Sequence, residues 1–161
     1  MTTKVDYTDQ EWLLLVEAPI MTGTYIIISD VSMTALPKET RAMLKAAVSG
    51  QVPDAAQELV SALTADIRQM GDLNEQMEQA STGSGGDPRA DILARINAAL
   101  AVLDEKAAPE EKAGFCAWLM QIANATAEAG REGGFLGIGS VRVSRKEKAA
   151  LAELQQAFGL G

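Results

Sequence analysis

The stretch Glu11-Trp12-Leu13-Leu14-Leu15-Val16, continued by Ile26-Ile27-Ile28-Ser29-Asp30 and then by Pro37-Lys38-Glu39-Thr40-Arg41-Ala42-Met43-Leu44, decides the fold of this chain. It reads as an apolar helix with a tryptophan, a short polar turn, and a second, amphipathic helix. A looser copy stands toward the other end. There Phe115-Cys116-Ala117-Trp118-Leu119-Met120 leads through Gly133-Gly134-Phe135-Leu136-Gly137-Ile138-Gly139-Ser140 to Ser144-Arg145-Lys146-Glu147-Lys148-Ala149-Ala150-Leu151. Two such units predict helices packed on helices, with approximate internal duplication.

Composition agrees with a helical core. Apolar residues make up 47% of the 161 residues, while aromatics are only 4%. The core must therefore be built from Ala, Leu, Ile, Val and Met, a mixture that suits closely packed helices. The net charge of −8 opposes binding to a phosphate backbone, so nucleic acid is not expected as a partner. The basic cluster Arg142, Arg145, Lys146 and Lys148 is diluted by Glu147 and reads as a solvated face. With no histidine and one cysteine, Ser-His-Asp triads, Cys-His dyads, histidine zinc sites and internal disulfides are all excluded within the chain. Cys116 lies in an apolar run and is expected to be a small buried residue. The apolar segment Trp12–Ile28 is interrupted by Glu17 and Pro19. It is expected to be a buried core helix rather than a transmembrane segment, and the chain to be cytoplasmic.

Start and stop signals divide the chain. Thr8-Asp9-Gln10-Glu11 has capping-box spacing and opens a first helix to about Ser29. Pro19 inside it predicts a kink or break near Ala18. Tyr25-Ile26-Ile27-Ile28 is β-branched, but no partner strand is in view, so helix is preferred. Pro37 and Glu39 start a second helix ending near Ser49-Gly50. Pro53 starts a third, expected to be long, with Ala56, Val60, Leu63, Ile67, Met70, Leu73 and Met77 on one stripe. The run Ser81-Thr82-Gly83-Ser84-Gly85-Gly86 reads as a linker. Asp87-Pro88 caps a fourth helix, Pro109-Glu110-Glu111 opens a fifth, and Ser144 with Glu147 caps the last. The expected fold is an all-α bundle of about six to seven helices in a single domain, 1–161. Its first half covers about 8–80 and its second about 87–159, joined by the linker at 81–86.

Each chemical motif has a plain counterpart. The glycine-rich stretch near residues 130–140 lacks the preceding strand and following lysine of a phosphate loop, and is expected to pack Phe135, Leu136 and Ile138 on the core. Asp30-Val31-Ser32-Met33-Thr34 alternates oxygen-bearing side chains as a calcium loop does. Ala35 and Arg41 stand where an EF-hand needs glycine and glutamate, so an EF-hand is rejected. A looser divalent-cation site of Asp30, Ser32 and Glu39 stays open beside the alternative that Asp30 caps a turn and Glu39 supports a helix start. The pairs Glu75 with Glu78 and Asp104 with Glu105 read as solvated surface acids.

In its repeated units the sequence resembles the TerB-like family of tellurite-resistance-associated helical proteins. That family carries an apolar helix ending in an acidic turn, then a helix opened by glutamate. Asp30 and Glu39 match those acids in the first unit. In the second, Glu128 and Glu147 match more loosely across a longer turn, and Val31 stands where the family has a glycine. The resemblance implies a cytosolic, non-enzymatic protein of tellurite or general stress resistance. It would act through divalent cations or as an interaction module near the membrane, with protein partners or self-association. The other function class is a helical oligomerisation or adaptor module with no ion chemistry. It predicts an exposed apolar stripe on the third helix. An enzyme would need a buried carboxylate in a deep cleft.

Overall fold

The computed structural model describes residues 1–30, 36–49, 51–70, 86–131 and 143–161. Among these there are six α-helices and no strand. They are α1 (Asp9–Ser29), α2 (Leu36–Ser49), α3 (Gln57–Gln69), α4 (Pro88–Lys106), α5 (Pro109–Arg131) and α6 (Arg145–Ala157). Short 3-10 turns at Lys4–Asp6 and Asp54–Ala56 precede α1 and α3.

The helix starts follow local chemistry. The Glu11 N–H donates to Thr8 Oγ1, and the Thr8 N–H donates to the Glu11 carboxylate at 2.7 Å. Ser144 and Glu147 repeat this reciprocal pair, and Asp87 accepts from the Arg89 N–H. Each pairing gives a partner to a donor that the helix itself leaves free.

Two expectations need correction. Pro19 does not break α1, which runs through it for 21 residues. Every residue from Ala18 to Ile27 is buried, so packing on all sides holds the helix across the missing hydrogen bond. The hydroxyls of Thr22 and Thr24 bond back to the carbonyls of Ala18 and Ile20, which gives these buried hydroxyls partners within the helix. The third helix is shorter than its pattern suggests. It stops at Gln69, where the Met70 N–H turns back to the carbonyls of Asp66 and Ile67. Its stripe is buried at Ala56, Val60, Leu63 and Ile67 and half-buried at Met70. Leu73 and Met77 lie outside the described residues, as do the linker through Gly85 and the apolar residues of the glycine-rich stretch.

α1 packs on α4 and α5, α2 packs on α5, and α6 returns to α1. The two helix pairs that carry the repeated unit are thus interleaved, each lending its second helix to the first helix of the other. The buried residues of both halves form one apolar cluster, with Leu15, Met43, Leu63, Phe115, Trp118 and Leu154 at 0% exposure. α1 and α2 approach so closely that a Cβ on Gly23 would lie 2.2 Å from Met43 Sδ. By length and composition α1 could span a bilayer, with a mean hydropathy of 1.5, yet 72% of that window is buried against the other helices.

Candidate functional site

The interleaving brings four helix ends together: the last turns of α1 and α5 and the first turns of α2 and α6. Glu39 stands in the first turn of α2 and Glu147 in the first turn of α6. Both side chains are buried, Glu39 at 2% exposure and Glu147 at 7%. Gly130 near the end of α5 lies between them. A Cβ there would be 2.6 Å from Glu39 Oε1 and 3.2 Å from Glu147 Oε1. The two oxygens can be no farther apart than those two distances laid end to end. A side chain at this position would have to displace one or both carboxylates.

The two acids are not equally provided for. Glu147 Oε2 accepts from the Ser144 N–H at 2.8 Å. Glu39 Oε2 is buried with no hydrogen-bond partner among the described residues. Burial disfavours its charged form, and Glu147 and then Asp30 add like charge. Together they push the Glu39 carboxyl up from 4.5 to about 7. Asp30 ends α1 and is half exposed, with Lys146 Nζ 3.8 Å from its carboxylate. A negative charge at the carbonyl end of a helix is unfavourable, and Lys146 offsets it only partly because both groups are solvated.

Of the expected set Asp30, Ser32 and Glu39, the described residues include two. Asp30 and Glu39 face the same acidic centre, while Ser32 lies outside the described residues. Glu147 takes a place that spacing did not assign. Glu128, the looser match in the second unit, is exposed. Among the described residues, no three His, Cys, Asp or Glu groups stand in a metal-holding arrangement. The centre consists of one close carboxylate pair with Asp30 as an added charge. Burial and the like charge of Glu147 and Asp30 favour a proton on Glu39.

Other candidates resolve simply. Asp104, Glu105, Arg145, Lys146 and Lys148 are exposed, while Arg142, Glu75 and Glu78 lie outside the described residues. Cys116 is buried, and burial raises its thiol to about 11, which leaves little thiolate at neutral pH. A third buried acid, Glu111, stands in the first turn of α5. It accepts from the Thr2 N–H at 2.7 Å and the Thr2 hydroxyl at 2.9 Å, which fastens the segment before α1 to α5. The signal that could have marked Glu39 and Glu147 is Gly130, a glycine placed late in a helix that needs no bend.

The chain matches no family model, no curated protein and no solved structure.

Proposed function

We propose that the chain is a non-enzymatic, TerB-like helical protein that takes up a divalent cation between Glu39 and Glu147, with Asp30 adding charge. One observation carries this reading: the Glu39 carboxylate is buried, its Oε2 has no partner among the described residues, and its Oε1 lies beside Gly130 as Glu147 Oε1 does. A calcium, magnesium or manganese ion would satisfy that oxygen and offset the burial and repulsion that raise the Glu39 carboxyl to about 7. Cation uptake would tie the starts of α2 and α6 to each other, which gives an ion signal a route into the helix packing. The link to tellurite or general stress resistance rests on the sequence resemblance.

An adaptor module without ion chemistry is the competing reading. It asks for an exposed apolar stripe on α3, where Val60, Leu63 and Ile67 are buried. A catalytic reading asks for Glu39 in a cleft; cavities of about 510, 340 and 210 Å³ are lined by other described residues.

Calorimetric titration with calcium, magnesium and manganese at about pH 8, where Glu39 is ionised, tests the proposal. Heat is expected from at least one ion and is lost in both Glu39→Gln and Glu147→Gln. Silence at millimolar ion, or equal heat from Glu39→Gln, removes the cation site.

A further inference from the structure

Glu111 fastens the segment before α1, and its own charge is left without a counterpart. Its side chain is buried at 1% exposure, yet it forms no ion pair with a described residue. The partners of Oε1 are neutral, the Thr2 N–H at 2.7 Å and the Thr2 hydroxyl at 2.9 Å. Oε2 has no hydrogen-bond partner among the described residues. The start of α5 lends a partial positive charge, which favours the ionised carboxyl without neutralising it. The negative charge is felt at Tyr7, where burial first and Glu111 after it push the hydroxyl above its ordinary 10. Buried carboxylates are seldom left without a cation.

The Thr2 nitrogen beside Glu111 is held in place from several sides. Tyr7 Oη lies 2.6 Å from Thr2 Oγ1, and because the Thr2 hydroxyl donates to Glu111, Tyr7 is the donor in that pair. The Thr3 N–H donates to Asp6, the Lys4 ammonium to Asp66, and Lys106 Nζ to the Asp6 carbonyl at 3.0 Å. A segment tied in this way does not fray. Met1, by contrast, is 72% exposed. A Thr2 nitrogen released from its bond to Met1 would be an ammonium. It would bring three N–H donors and a full positive charge to a point where the amide brings one donor and no charge.

We infer that the Met1–Thr2 peptide bond is a processing site, and that its hydrolysis turns the Thr2 amide into an ammonium that pairs with the buried Glu111 carboxylate. Water supplies the atoms. Its oxygen joins the Met1 carbonyl carbon as the bond from that carbon to the Thr2 nitrogen breaks. The electron pair of the broken bond stays on nitrogen, which gains both water protons, and Met1 leaves as a carboxylate. A peptidase that takes methionine before a small residue acts here on the growing chain, because Thr2 is made long before residues 109–131 arrive to bury it. The nitrogen already stands 2.7 Å from Glu111 Oε1, so the ion pair needs no helix to move. The inference does not depend on the cation centre, because no residue is shared between the two.

Two forms of the whole chain test this, one beginning at Thr2 and one keeping Met1. In urea at about pH 7, the form beginning at Thr2 is expected to have an unfolding constant about tenfold smaller, the gain of a charge-assisted bond over a neutral one. The difference should vanish when both forms carry Glu111→Gln, whose amide oxygen still accepts from Thr2 but has no charge. A second readout needs no variant. The Thr2 ammonium should react with an acylating reagent about tenfold more slowly in the folded protein than in the urea-unfolded chain, because the pairing holds its proton. The intact mass of the protein isolated from its own cells should correspond to a chain that begins at Thr2. A native protein that keeps Met1 overturns the inference. So do equal stabilities of the two forms, a difference that survives Glu111→Gln, or equal acylation rates.

Discussion

The two copies of the repeated unit are provided for in opposite places. In the first copy, Trp12 is satisfied, its indole N–H donating to Asp66 at 2.7 Å, while Glu39 has an oxygen without a partner. In the second copy, Glu147 accepts the Ser144 N–H, while Trp118 has no acceptor. The difference teaches that equivalent scaffolds diverge at their buried polar groups. The two gaps also differ in kind: one is an unpaired acceptor and the other an unpaired donor.

The largest break in this comparison comes from neutralising Glu39. Its carboxyl titrates at about 7 in the fold against an ordinary 4.5, so the folded state holds the proton more tightly. That contribution to stability is complete below 4.5 and is lost as pH rises through about 7. Glu39→Gln should therefore leave stability at pH 4 little changed and raise it at pH 8, by up to about 3 kcal/mol. Urea unfolding at the two pH values measures this. A flat wild-type profile would mean that Glu39 is not strained by its burial.

Gly130→Ala sharpens the comparison from the other side. The added methyl would crowd Glu39 more than Glu147. A destabilisation of about 2 kcal/mol is expected, with the pH dependence between 5 and 7 reduced, since the carboxylate that moves is the strained one. Thermal unfolding of this variant beside Glu39→Gln separates the effects. If the pair acts through Gly130, the two changes will not add.

The smallest effect concerns the tryptophan that is satisfied. Asp66 is held low chiefly by the Lys4 ammonium and then by the Trp12 indole. Its contribution is present above the ordinary carboxylate range and is lost as pH falls. Lys4 and Asp66 are partly exposed, which discounts the ion pair. Asp66→Ala should cost about 1 kcal/mol at neutral pH and should move the Trp12 indole signal while leaving that of Trp118 in place.

The helices were legible because their starts are written in adjacent residues. Thr8 with Glu11, Asp87 with Pro88, and Ser144 with Glu147 bond locally, so spacing finds them. The site was half legible. Asp30 and Glu39 stand out as acids at a turn, but Glu39's burial is set by α5, about ninety residues away in sequence, and no local pattern records that crossing. Glu147 was hidden by its own capping box, which accounts for the residue completely without invoking burial. Trp118 looked like an ordinary core aromatic because sequence cannot say which buried donors find acceptors. The length of α3 failed for a related reason. A periodic apolar stripe continues past Met70, and the stop is made by backbone bonds that periodicity does not encode.

α1 carries a consequence for how the chain is made. It is the most apolar helix of the described protein, and its principal packing partners are α4 and α5. During synthesis those helices emerge only after residues 88–131 are complete. Until then, a 21-residue stretch that meets the length and hydropathy of a membrane span has little to cover it. The nascent chain therefore exposes to targeting factors and chaperones a surface that the finished fold conceals, and a pause in translation before α4 would lengthen that exposure.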